Sequence, residues 1–102
     1  MTLLGVDYGS RRIGLAISDE DERWAHPLET LTRDGTRDVV EVIAERAVER
    51  GVGGLVVGMP IDMSGEEGPA AKRAREFGAL LGARTGLPVH FWDERLTTVE
   101  AD

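Results

Sequence analysis

The stretch Leu3-Leu4-Gly5-Val6-Asp7-Tyr8-Gly9-Ser10-Arg11-Arg12-Ile13-Gly14-Leu15-Ala16-Ile17-Ser18 reads as an apolar strand ending in an acid, a glycine turn and an alternating second strand. Asp7 is the informative residue within it. Desolvating a carboxylate at the end of an apolar strand is costly unless a cation or strong donor compensates its charge. The turn that follows supplies Arg11 and Arg12, and its backbone N–H groups around Gly9 and Ser10 suit a phosphate. A carboxylate for metal beside donors for phosphate points to phosphoryl chemistry.

Working outward, residues 27–31 read as a short third strand, with Pro27 marking a sheet edge. Asp34 or Thr36 is placed to cap a helix over 37–50, whose apolar positions Val39, Val40, Ile43, Ala44, Ala47 and Val48 recur at helical spacing. Gly51 stops it. Residues 54–58 are continuously apolar and β-branched, as in a strand buried on both faces. A loop over 59–68 leads to Pro69, which suits a first helical position. The helix beyond it is expected to bury Ala70, Ala74, Phe77 and Leu81 and to end at Gly82 or Gly86. Residues 87–92 form another strand, with Asp93-Glu94-Arg95 at its carboxyl end, and Thr97 or Thr98 opens a further helix. Three strands, then two helical crossovers to parallel strands, make an α/β mixed sheet with an antiparallel start.

The 102 residues amount to one domain. A net charge of −7 argues against a protein that coats nucleic acid by bulk electrostatics, but not against local grip on phosphates. The absence of cysteine removes disulfides, thiolate metal sites and cysteine nucleophiles. With no signal-peptide pattern and no apolar run of spanning length, the chain is expected in the cytoplasm, with no membrane partner.

In an open α/β sheet, ligands collect at the carboxyl ends of the strands. Asp7, the 58–62 segment and Asp93-Glu94-Arg95 all end there. Oxygen ligands without histidine or cysteine beside them favour magnesium or manganese over zinc. Two carboxylates around such ions, Asp7 between the metals and Glu94 nearer the attacking water, suit phosphodiester hydrolysis.

The segments Val6-Asp7-Tyr8-Gly9, Ile13-Gly14-Leu15-Ala16-Ile17-Ser18-Asp19, Val56-Val57-Gly58-Met59-Pro60, Gly65-Glu66-Glu67-Gly68-Pro69 and Trp92-Asp93-Glu94-Arg95-Leu96-Thr97-Thr98-Val99-Glu100-Ala101 together resemble the RuvX/YqgF family. These are bacterial RNase H-like proteins described as Holliday junction resolvases and pre-ribosomal-RNA processing nucleases. The resemblance covers nearly the whole chain. It implies an RNase H-like fold, divalent ions (two magnesium or manganese), and Asp7 and Glu94 as catalytic acids and metal ligands. Met59 and Asp62 depart from the family's usual leucine and asparagine. Family members also continue past Ala101 to a further aspartate on a final helix. The resemblance therefore implies that residues 1–102 form a single domain lacking its C-terminal helices.

The leading expectation is a metal-dependent nuclease acting on structured RNA or branched DNA, in processing the 5′ end of pre-16S rRNA or in Holliday junction resolution. Gly9, Ser10, Arg11, Arg12, Arg95 and Thr97 are its candidate substrate contacts. For Arg11 and Arg12 an exposed turn is an equal reading. Asp93 reads as a helix cap in reserve as a ligand. Lys72, Arg73 and Arg75 read as a solvated face, with Lys72 paired to Glu76. Trp24 and Trp92 read as packing residues, and His26 and His90 as poor general bases. The alternative is a catalytically impaired nuclease fold that binds nucleic acid or a ribosome-assembly partner. An apolar sheet face left uncovered by absent helices would favour a homodimer. A third reading, nucleotide binding of the actin and hexokinase type, needs two such domains, and this length supplies one.

Overall fold

Strands β1 (Leu3–Tyr8) and β2 (Arg12–Ser18) form the expected hairpin in a computed structural model that describes residues 1–9, 11–18, 24–35, 38–59 and 68–93. Strand β3 (Trp24–Thr32) follows, then helix α1 (Val39–Arg50), β4 (Gly54–Met59), α2 (Pro69–Thr85) and β5 (Val89–Asp93). The sheet order is β3-β2-β1-β4-β5. The β3-β2-β1 half is antiparallel, and β4 and β5 join parallel through the two helices. Placing β1 at the centre brings Asp7 to the middle of the carboxyl edge.

Alternation along the strands gives the sheet two unlike faces. Leu4 and Val6 of β1, Ile13 and Leu15 of β2, and Leu55, Val57 and Met59 of β4 point to one face. They form a single core with Val42, Ile43 and Ala47 of α1 and Ala71, Ala74, Phe77 and Leu81 of α2. Both helices therefore cover the same side. The other face carries Gly5 and Asp7, then Gly14 and Ala16, then Gly54, Val56 and Gly58, then His90 and Trp92. Among the described residues no helix covers it. This open face carries small and polar residues together with the apolar Leu3, Val56 and Trp92.

The helix ends differ in part from expectation. Asp38, not Asp34 or Thr36, caps α1: its Oδ1 accepts the N–H groups of Val40 at 3.1 Å and Glu41 at 3.3 Å. Gly51 ends α1 in the left-handed conformation, φ 63°, as the stop signal required. Val48 points to solvent at 81% exposure, and Val42 takes its place in the core. Pro69 does open α2, which ends at Gly86 rather than Gly82. Ala70 is exposed, and Ala71 packs in its stead. The other expected core positions hold, Ile43, Ala44 and Ala47 in α1 and Ala74, Phe77 and Leu81 in α2, so each buried stripe differs from the expected one only at its edge. Gly78 has a packing reason, since a Cβ there would come within 2.7 Å of the Phe91 ring.

Strand β3 extends from Trp24 through Thr32, beyond the expected 27–31, because pairing with β2 continues past Pro27 through two register irregularities. It is an edge strand, as the proline indicated. Its Glu29 accepts from Arg46 Nε of α1 at 2.5 Å, which raises the arginine's pKa further. Arg84 of α2 grips Glu41 of α1 through two hydrogen bonds of 2.5 and 2.7 Å, pulling the Glu41 carboxyl below its ordinary value. Lys72 and Glu76 form no ion pair among the described residues.

Candidate active site

Strand β1 delivers Asp7 to the carboxyl edge on the open face. Directly opposite it lie Gly14 on β2 and Gly58 on β4. Both immediate cross-strand neighbours of the carboxylate thus lack side chains. A Cβ at Gly14 would sit 3.7 Å from the Asp7 Cβ. The same row continues to Trp92 on β5, which pairs with Gly58. Asp7 and Trp92 are about 10 Å apart, two strand spacings. The row places an acid at the carboxyl edge with no side chain on either adjacent strand position.

Asp7 itself is exposed. Desolvation therefore does not govern this carboxylate; what marks it is the glycine frame. Exposure also keeps the group available as an acceptor, and an oxygen donor flanked by two glycines fits a hard divalent cation. Among the described residues no three acidic, imidazole or thiol groups converge into a cluster. Strand β5 ends at Asp93, one residue before Glu94, and carries the chain to the same sheet edge. Glu94, Arg95 and Thr97 lie outside the described residues, as do Ser10, Asp62 and Thr98 and the side chains of Trp24, His26 and Asp93.

The turn after Asp7 is closed on itself. Gly9 N–H donates to the Arg12 carbonyl at 2.9 Å, so this amide, expected to face a phosphate, is engaged inside the turn. Glycine is required there, because a Cβ would fall 2.6 Å from the Arg12 carbonyl oxygen. Arg11 and Arg12 are exposed at the turn, on the same edge as Asp7.

Arg33, just past β3, was not among the sequence candidates. Its backbone N–H donates to the Arg11 carbonyl at 2.8 Å, and its Nη1 donates to the Gly9 carbonyl at 2.6 Å. Its guanidinium also lies over the Tyr8 ring, 4.4 Å from the centroid. Tyr8 in turn meets Phe77 of α2 edge-on at 4.6 Å. A hydrogen bond from a charged donor contributes about 1.5–3 kcal/mol, and a cation–π contact about 1 kcal/mol. The one sequence signal for this role is pairing register, since Thr32 lies opposite Arg12. Gly14 was legible by a different sign, as a glycine interrupting an alternating strand.

Comparison with known proteins gives the family and the fold. The model of the RuvX family, described as "Holliday junction resolvase", matches residues 1–102. A protein of Anaeromyxobacter dehalogenans (strain 2CP-C) named "Putative pre-16S rRNA nuclease" is 46% identical over 102 residues, all of this chain and 74% of its own length. A relative of the same name in Paramagnetospirillum magneticum is 43% identical over 94% of this chain and 62% of its own length. The chain therefore spans less than two thirds of some curated relatives and somewhat more of others. Among solved structures, T. thermophilus RuvC in complex with a Holliday junction substrate superposes with a TM-score of 0.70 at 14% identity, covering 98% of this chain and 69% of that one. A ROK family protein from Streptococcus pneumoniae TIGR4 superposes at 0.60 and 19% identity, covering 92% of this chain and 35% of that one. Such likenesses show a shared fold, the RNase H-like sheet.

Proposed function

Since the chain belongs to the RuvX family, we propose that it is a divalent-metal-dependent nuclease that hydrolyses phosphodiester bonds of structured nucleic acid. The precursor of 16S rRNA is the favoured substrate, from the names of its curated relatives, with Holliday junctions second. One observation carries the reading: an exposed acid, Asp7, stands between two glycines at the carboxyl edge of the central strand. A purely structural acid has no need of that frame.

Asp7 and Glu94 are the residues proposed to hold two magnesium or manganese ions. Bound there, such ions neutralise phosphate charge and raise the acidity of water. The chain's own residues do the rest. Asp7 supplies a fixed oxygen on a floor that lets the nucleic-acid backbone approach. Arg11 and Arg12 offer guanidinium groups that match phosphate oxygens. Ser10, Arg95 and Thr97 extend the proposed contact surface, and Gly9 shapes the turn that presents it. A net charge of −7 confines the grip to these few arginines, so binding should release few counterions. Residence in the cytoplasm belongs to the same reading; no helix among the described residues is long and apolar enough to cross a membrane.

The test is cleavage of a labelled panel (16S rRNA precursor, single-stranded RNA, four-way junction DNA) with manganese or magnesium. Cutting that needs the ion and disappears in Asp7→Asn supports the proposal and names the substrate. Binding without cutting, by a folded chain with metal present, contradicts it and moves the reading to a nucleic-acid-binding nuclease fold.

A further inference from the structure

Resting on the nuclease reading above, we infer that Arg33 is a positioning residue of this site, clamping the turn that follows Asp7 from the face opposite the carboxylate. Three contacts converge on Tyr8, Gly9 and Arg11. The guanidinium covers the ring of Tyr8, the residue after Asp7, at 4.4 Å. Its Nη1 holds the Gly9 carbonyl at 2.6 Å, and its own N–H holds the Arg11 carbonyl at 2.8 Å. Tyr8 points to the helix-covered face, as its pairing with Ile13 shows, whereas Asp7 points to the open face. The clamp therefore works from behind.

A lysine would not do the same work. The planar fork of arginine can lie flat on a ring while one N–H reaches a carbonyl in its own plane. The contact chain also runs deeper, through the edge-on packing of Tyr8 on Phe77. Since Phe77 is a core residue of α2, the turn is tied to the rigid part of the molecule. A site that must hold metal and phosphate in register needs its supporting shell locked in this way.

The test combines steady-state cleavage with amide hydrogen exchange on the purified chain. Arg33→Ala is expected to lower kcat about tenfold or more with KM within about twofold, because misplacing a reacting group costs rate rather than affinity. Arg33→Lys should recover only part of that loss. Exchange of the Gly9 amide should accelerate about tenfold in Arg33→Ala, while the Leu4 and Val57 amides of the core stay as in the wild type. A KM rise at constant kcat would make Arg33 a substrate contact and overturn the inference. Unchanged kinetics with unchanged Gly9 exchange would overturn it as well. Should Arg33→Ala loosen the whole core, Arg33→Gln, which keeps the stem, takes its place under the same criteria. If the wild-type chain cuts nothing, the nuclease reading falls, and Gly9 exchange still decides whether the clamp exists.

Discussion

On the helix-covered face of the sheet, Leu4, Ile13, Leu55 and Val57 are wholly buried, and Val6 and Leu15 nearly so. On the opposite face, the same strands present Gly5, Asp7, Gly14, Ala16 and Gly58. Residues one position apart in β1 and β2 thus answer to different demands. The first face is filled with branched apolar side chains because burial of each stabilises the fold by about 1.5–3 kcal/mol. The second gives up that gain at its glycines and keeps a carboxylate approachable. The difference teaches that the carboxyl edge is arranged for access, at positions where packing alone would have placed valine.

Asp7→Asn should break the open face most completely. Metal-dependent cleavage is expected to fall more than about a hundredfold, beyond the loss typical of outer-sphere partners of a metal. Its urea midpoint should stay close to wild type, since the side chain is exposed. Leu55→Ala, on the other face, should give the reverse pattern. Denaturant unfolding should show a loss of about 2–5 kcal/mol, with kcat of the remaining folded protein little changed.

Gly14→Ala sharpens the contrast. Its added methyl would meet the Asp7 Cβ at 3.7 Å, an ordinary contact, so the strand accepts it without strain. Stability should hold or rise by up to about 1 kcal/mol through the lower entropy of the unfolded chain. Cleavage should nevertheless drop several-fold as the floor beside the carboxylate fills. A variant that is more stable and less active would show that this glycine serves access.

How much of this was legible in the sequence depends on which interactions decide each feature. The hairpin, the central place of β1, the two crossovers and the stop at Gly51 follow from local periodicity and turn chemistry, and they stand as read. The exposure of Val48 and Ala70, with Val42 and Ala71 buried instead, does not follow. Val48 and Ala70 are apolar, yet which of several adjacent apolar residues faces the sheet is set by how the whole helix docks. The cap at Asp38 was likewise hidden among Asp34, Thr36 and Asp38, all chemically able to cap. At the site, Asp7 stood out, but the reason first given for it, compensated desolvation, does not apply to an exposed group. The N–H of Gly9, a phosphate donor by sequence pattern, is consumed by the turn itself. Arg33 escapes the sequence reading because its partners Tyr8, Gly9 and Arg11 are far off in the chain, Gly9 by 24 residues, and only strand pairing brings them together.

The smallest effect lies remote from both faces, where Arg84 ties α2 to α1. Its hydrogen bonds lower the Glu41 carboxyl from its usual 4.5. A carboxyl with a lowered folded value contributes stability above the unfolded value and loses it as pH falls through the folded one. The Tm of wild type should therefore slightly exceed that of Glu41→Gln at neutral pH, and the gap should close in strongly acidic buffer. High salt should shrink it too, as for any exposed pair.

The division between a packed face and an open face proposed to bind metal is tested most directly by manganese titration followed by amide NMR. Paramagnetic broadening centred on Asp7 and its row neighbours Gly14 and Gly58, and abolished in Asp7→Asn, is the predicted result. Broadening centred elsewhere, or persisting unchanged in Asp7→Asn, would contradict the account.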